Sequence, residues 1–413
     1  MSTLGSAFID ALLLVTALRA WLALRQVRHV LRHRDQVPGP FEADIDIAAH
    51  RKAADYTAAK ARFSLVGLAL DTALALVWTF GGGLALLDDA WRGMALGPLH
   101  TGVLVMGSYL LINALIGLPL GVYFTFGIEA EFGFNRTTVR TYILDRIKVL
   151  LLTVLLGAPL AYAALGLMLK SGAGWWLYVW ALWFGFSLAL TWAYPVFIAP
   201  LFNKFSSLAD ADLKARIEAL LIRCGFESRG VFVMDGSSRS AHGNAYFTGF
   251  GRNKRIVFFD TLMTKLAADE IEAVLAHELG HFRLRHVLQR LALSAVLGLL
   301  GLALLGQLSD WDGFYTGLGV AAPSPYMALL LFTLLLPPFL FILEPLASAW
   351  SRRHEYQADA YARQQADGAA LMRALVKLYR DNAATLTPDP LHSAVYDSHP
   401  PALMRIARLQ AAR

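Results

Sequence analysis

Seven stretches of this chain are apolar over close to the 20 residues that a helix needs to cross a bilayer, and they constrain its fold more than any other feature. They fall at about 5–24, 63–86, 101–123, 148–169, 176–198, 287–306 and 326–347. Of the 413 residues, 56% are hydrophobic and 16% charged. A soluble domain runs near 45–50% and about 25%, so this is a membrane composition. The first stretch is the least clean, since Asp10 and Arg19 lie within it. It lacks a basic leader and a small-residue exit, so it reads as a span rather than a cleaved signal peptide.

Charge gives the orientation. Arg25, Arg28, Arg32, Arg34, Arg51, Lys52, Lys60 and Arg62 lie between the first two spans, and Arg136, Arg140, Arg146 and Lys148 between the third and fourth. By contrast, 88–100 holds only Arg92, and 307–325 holds Asp310 and Asp312 with no Lys or Arg. The positive-inside rule puts the N-terminus outside and the basic loops in the cytoplasm, together with 199–286 and 348–413. The net charge of +6 is modest, and its clustering in loops reads as topology, with no nucleic-acid partner implied. A single cysteine, Cys224, excludes an internal disulfide and a cysteine-based metal site.

Residues 199–286 read as a cytoplasmic subdomain. Leu208–Leu221 has helical periodicity with an acidic start, 231–234 and 255–259 read as short strands, and 244–249 as another strand ended by glycine. Its last part carries His277-Glu278-Leu279-Gly280-His281, an H-E-x-x-H pattern. Histidines four apart lie about 40° apart around a helix, so both imidazoles reach one metal ion. Glu278, the next residue round, is placed to take a proton from an attacking water, the general-base arrangement of metal-assisted peptide hydrolysis. Two histidines leave a zinc site one protein ligand short.

After the last span, Glu355 and Asp359 also stand four apart on one helix face. Glu355 is the candidate third ligand and Asp359 the carboxylate that orients a ligating histidine through its other ring nitrogen. Taken alone, such a pair is more often a solvated helix face. His354 is a rival ligand but points about 100° away from Glu355.

His277-Glu278-x-x-His281 paired with Glu355-x-x-x-Asp359 resembles the M48 family of integral-membrane zinc metallopeptidases, and more narrowly its Ste24-type CAAX prenyl protease branch. Glu131–Arg136, Ala199–Phe205, Asn244–Phe247, Arg255–Leu262 and Ser398–Pro401 are similar to that branch as well, so the likeness runs from about residue 20 to 410. The resemblance implies one zinc ion per chain, held by His277, His281 and Glu355, with Glu278 as the base. It implies that Asn244, Ala245 and Tyr246 lie along a peptide or protein substrate bound as an added strand, with Asn244 near the scissile carbonyl. His399 and Arg405 are expected near the metal, stabilising the oxyanion. It further implies a chamber enclosed by the spans and a substrate that can be prenylated. Residues 242–244 read His-Gly-Asn where the family pattern has His-Ser-Asn.

The expected fold is mainly helical and polytopic, with about seven transmembrane helices in contact with lipid. A zincin-like subdomain combines the H-E-x-x-H helix with a small β element. The segments are 1–198 and 287–347 in the membrane, 199–286 with the metal motif, and 348–413 with the third ligand. Ala- and Leu-rich composition with many arginines points to a bacterial inner membrane; a eukaryotic source would place the chain in the endoplasmic reticulum. The nearest alternative is a quality-control membrane protease of the HtpX type, expected to have about four spans. A more distant one is a non-catalytic transporter or scaffold with a vestigial zinc site. His242, His286 and His392 are read as structural.

Overall fold

The computed structural model describes residues 2–226, 230–248 and 255–411. Seven of its helices are long and apolar enough to cross a membrane: α1 (Thr3–Arg32), α2 (Ile47–Trp78), α3 (Pro98–Glu131), α4 (Val139–Lys170), α5 (Gly172–Phe202), α8 (His286–Ser309) and α9 (Pro325–Gln365). Each holds one expected span, the second only as far as Trp78, and α1 and α2 run well past the apolar stretch on the side of their shared basic loop. The second span, expected to reach residue 86, ends at Trp78. A glycine run follows, and Gly82 takes the left-handed conformation (φ 75°) that breaks the helix. Gly83–Arg92 is then a separate short helix.

Phe8, Trp78, Leu165, Leu305, Phe314 and Met327 interlock in the core between these helices. An apolar cavity of about 840 Å³ opens among them, with Tyr142 and Arg146 on its wall beside Leu118, Trp183 and Gly298.

Outside the membrane helices, β1 (Phe205–Ser207), α6 (Ala211–Arg223), β2 (Val231–Met234), β3 (Ala245–Thr248), β4 (Arg255–Phe259) and α7 (Ala268–Arg283) follow in chain order. After α9 come α10 (Gly368–Asp381), α11 (Pro390–Tyr396) and α12 (Ala402–Ala411). Helix α6 starts later than its periodicity suggests. Asp210 Oδ1 accepts from Leu213 N at 2.9 Å and caps it, while Leu208 N donates to Val231 O at 3.2 Å. The short strand β1 was not expected.

The strands order as β1-β2-β4-β3, with β2 parallel to β4 and the two outer pairs antiparallel. Strand β3 is therefore an edge: it pairs with β4 on one side and with no other strand among the described residues. Gly249, expected to end it, lies outside those residues.

One core joins segments far apart in sequence. Ile217 of α6, Ile256 and Phe258 of β4, Ile271 and Leu275 of α7, Leu371 of α10 and Ile406 of α12 are all buried in it. Burying side chains of this size stabilises the fold by about 1.5–3 kcal/mol each. Phe41 and Ile45, from the loop between α1 and α2, belong to the same core. Arg25 of α1 also donates to both oxygens of Asp389, at 3.2 and 2.9 Å, and Asp389 caps α11. The first basic loop and the extramembrane unit therefore lie on one side of the membrane helices.

Candidate active site

Helix α7 positions the metal motif. Asp269 and Glu270 sit in its first turn, and Glu270 Oε2 accepts from Ala267 N at 2.8 Å. The same carboxylate, buried, is paired with Lys377 Nζ of α10 at 2.7 Å. Ile271, Val274, Leu275 and Leu279 turn into the core, which leaves His277, Glu278 and His281 on the face toward α9. Gly280 is required here: a Cβ at that position would lie 3.0 Å from Ala358 Cα and 3.1 Å from its carbonyl oxygen. That close approach of α7 to α9 carries Glu355 to the histidines.

His277 Nε2 lies 3.2 Å from His281 Nε2, 3.4 Å from Glu355 Oε2, and Glu355 Oε1 lies 3.3 Å from His281 Nε2. The candidate ligand atoms of all three residues fall within 4.8 Å of one another. The remaining nitrogens are engaged elsewhere: His277 Nδ1 lies 2.8 Å from Asp359 Oδ1, and His281 Nδ1 lies 3.0 Å from His286 Nδ1. Both histidines thus turn Nε2 toward one point. Glu355 Oε2 is buried and accepts no hydrogen bond. Two imidazole nitrogens and a carboxylate oxygen converging in this way fit a divalent cation such as zinc.

Burial holds the Glu278 carboxyl above the usual glutamate range, against the pull of the two imidazoles. Burial and Arg405 both pull the His277 imidazolium down, but Asp359 and Glu355 outweigh them and hold it up to about 9. A metal ion entering the site must displace that proton.

The structure places the other predicted residues as follows. Asp359 receives Arg405 in a two-pronged pair, Nε to Oδ2 at 2.7 Å and Nη2 to Oδ1 at 2.6 Å. Arg405 Nη2 also lies 3.2 Å from His277 Nδ1, and Nη1 lies 3.7 Å from Glu355 Oε2. Its nitrogens face Asp359 and the ligand cluster. His399 is different, with a side chain 67% exposed and Nε2 3.6 Å from Glu355 Oε1. Asn244 is exposed, and its Oδ1 accepts from Ala245 N at 2.8 Å. Ala245 and Tyr246 open the edge strand β3, which packs against α7.

Two histidines that sequence reasoning left as structural stand close to this site. His286 touches His281, as given above. His242 stacks on Phe134 with ring centroids 4.2 Å apart, and its Nε2 lies 3.5 Å from Glu129 Oε2. Glu129 also accepts from the Tyr56 hydroxyl, so the lead-in to β3 is tied to α2 and α3. His354 points away from the cluster and stacks on His286.

A helix-borne His-Glu-His set, a carboxylate from a second helix and an adjacent open strand edge, all on seven membrane helices, define a membrane metallopeptidase. The comparisons with known proteins agree along the whole chain. Residues 26–204 match the family model for the CAAX prenyl protease N-terminal region of five membrane helices, and residues 207–413 match peptidase family M48. CAAX prenyl protease 1 of Saccharomyces cerevisiae is 34% identical over 416 residues, covering 94% of this chain and 91% of that protein. The rice homologue (Oryza sativa subsp. japonica) is 33% identical, covering 98% and 97%. The human homologue is 31% identical, covering 94% and 92%. The crystal structure of S. mikatae Ste24p matches with a TM-score of 0.92 at 32% identity over 99% of each chain.

The chain belongs to peptidase family M48, in its Ste24-type CAAX prenyl protease group. It is an integral-membrane zinc metalloprotease, and the HtpX-type and non-catalytic alternatives are set aside.

Proposed function

We propose that this protein cleaves lipidated, CAAX-type peptides at a zinc ion held by His277, His281 and Glu355. The observation that carries this reading is the convergence of those three ligands beside Glu278 and the open edge of β3. When bound, zinc supplies Lewis-acid polarisation of the scissile carbonyl and makes a water more acidic. Glu278 takes the proton from that water as its oxygen attacks the carbonyl carbon, then passes it to the amine as the carbon–nitrogen bond breaks. Asp359 accepts from His277 Nδ1 and keeps the Nε2 lone pair directed at the metal. Arg405 fixes Asp359 and balances the buried negative charge. His399, exposed at the rim, donates toward the carbonyl oxygen as charge develops there, an effect worth about 3–4 kcal/mol for a well-aimed donor.

The substrate binds as an extended strand along β3, pairing with the free edge at Ala245 and Tyr246, with Asn244 at the cleaved bond. The apolar cavity among the membrane helices offers room and chemistry for an isoprenoid chain. The names of the relatives, CAAX prenyl proteases, point to the same substrate class. Basic loops and the site share one side, which supports a cytoplasmic active site with the N-terminus outside.

The test is cleavage of a farnesylated CAAX peptide and of its unprenylated twin by the detergent-solubilised protein. Chelator-sensitive cleavage that is faster with the farnesyl chain is expected. Equal rates on both peptides would remove prenyl specificity and leave the protease.

A further inference from the structure

We propose that His286 is a positioning residue for the metal: with Gln357 it sets the tautomer of His281 so that the Nε2 lone pair faces the ion. This inference rests on the metal assignment above. His281 Nδ1 and His286 Nδ1 are 3.0 Å apart, and His286 Nε2 lies 3.0 Å from Gln357 Oε1. Such a relay has two possible directions. If His286 donated from Nδ1, His281 would accept there and carry its own proton on Nε2, the atom facing His277 and Glu355. Only the opposite direction frees that lone pair: His281 Nδ1–H donates to His286 Nδ1, and His286 Nε2–H donates to Gln357 Oε1.

Other groups hold His286 in place. It is fully buried, and its ring stacks on His354 with centroids 3.9 Å apart and planes 6° apart. His354 Nε2 in turn lies 3.2 Å from Gln289 Oε1. The two metal-site histidines are thus oriented by different means, His277 by a carboxylate buttressed by arginine and His281 by a neutral relay ending at an exposed glutamine.

The test is zinc affinity of the full-length protein in detergent, measured by competition with a chromogenic chelator, with thermal stability of the metal-free protein alongside. His286→Phe keeps a flat ring against His354 and removes the acceptor; it is expected to weaken zinc binding by roughly 10–100-fold. Gln357→Leu, at an exposed position, should weaken it in the same direction, with the metal-free stability reporting separately the lost hydrogen bond to the buried ring. Gln357→Glu keeps an acceptor and should bind zinc at least as tightly as wild type. Should His286→Phe fail to fold, Gln357→Leu decides alone. Wild-type affinity in the acceptor-deficient variants overturns this inference and leaves the metal assignment standing. A wild-type protein that takes up no zinc overturns both.

Discussion

Glu278→Gln is expected to lower peptide cleavage by roughly a hundred- to ten-thousand-fold while leaving zinc content unchanged. The amide is close in shape to the carboxylate but cannot take a proton at neutral pH. Glu278 is not one of the three converging ligands, so metal binding should survive the change. Burial already disfavours the charged carboxylate, so an uncharged replacement fits the site without a new desolvation penalty. The measurement is kcat/KM on a farnesylated CAAX peptide, with metal content determined on the same preparation. Near-wild-type cleavage by this variant would remove Glu278 from the chemistry.

Arg405→Leu carries the second large effect, on stability. Arg405 is 5% and Asp359 3% exposed, and they are joined through two hydrogen bonds. The change leaves the buried Asp359 carboxylate with His277 Nδ1 as its remaining partner and Glu355 nearby, and breaking a buried pair from one side costs about 3–5 kcal/mol. Thermal unfolding in detergent should show a clear loss. The double variant Asp359→Asn/Arg405→Leu removes both charges and should recover part of it. If Arg405→Leu unfolds like wild type, the buried pair does not hold the site together.

The membrane half was largely legible because run length in apolar residues reports directly on bilayer thickness. What the runs could not give was where each helix stops. The second span overran because Phe80, Ala85 and the three leucines of 84–87 continue its apolar character across a glycine break that only backbone conformation reveals. In the extramembrane unit, the spacing of His277 and His281, and of Glu355 and Asp359, was readable because a four-residue step is one helical turn. That the two pairs meet depends on Gly280, whose missing Cβ lets two helices approach closely.

His286 was not readable at all. Five residues beyond His281 on a continuous helix it would point elsewhere, but Arg285 adopts a left-handed conformation (φ 58°) between α7 and α8 and swings it back. The pairing of Arg405 with Asp359, across 46 residues, likewise belongs to tertiary packing.

The most direct test of the account is zinc stoichiometry by mass spectrometry, with farnesyl-peptide cleavage, in wild type and in Glu355→Gln. One zinc per wild-type chain, with metal and cleavage both lost in the variant, is the predicted result. A Glu355→Gln protein that keeps a full equivalent of zinc and cleaves at the wild-type rate would contradict it.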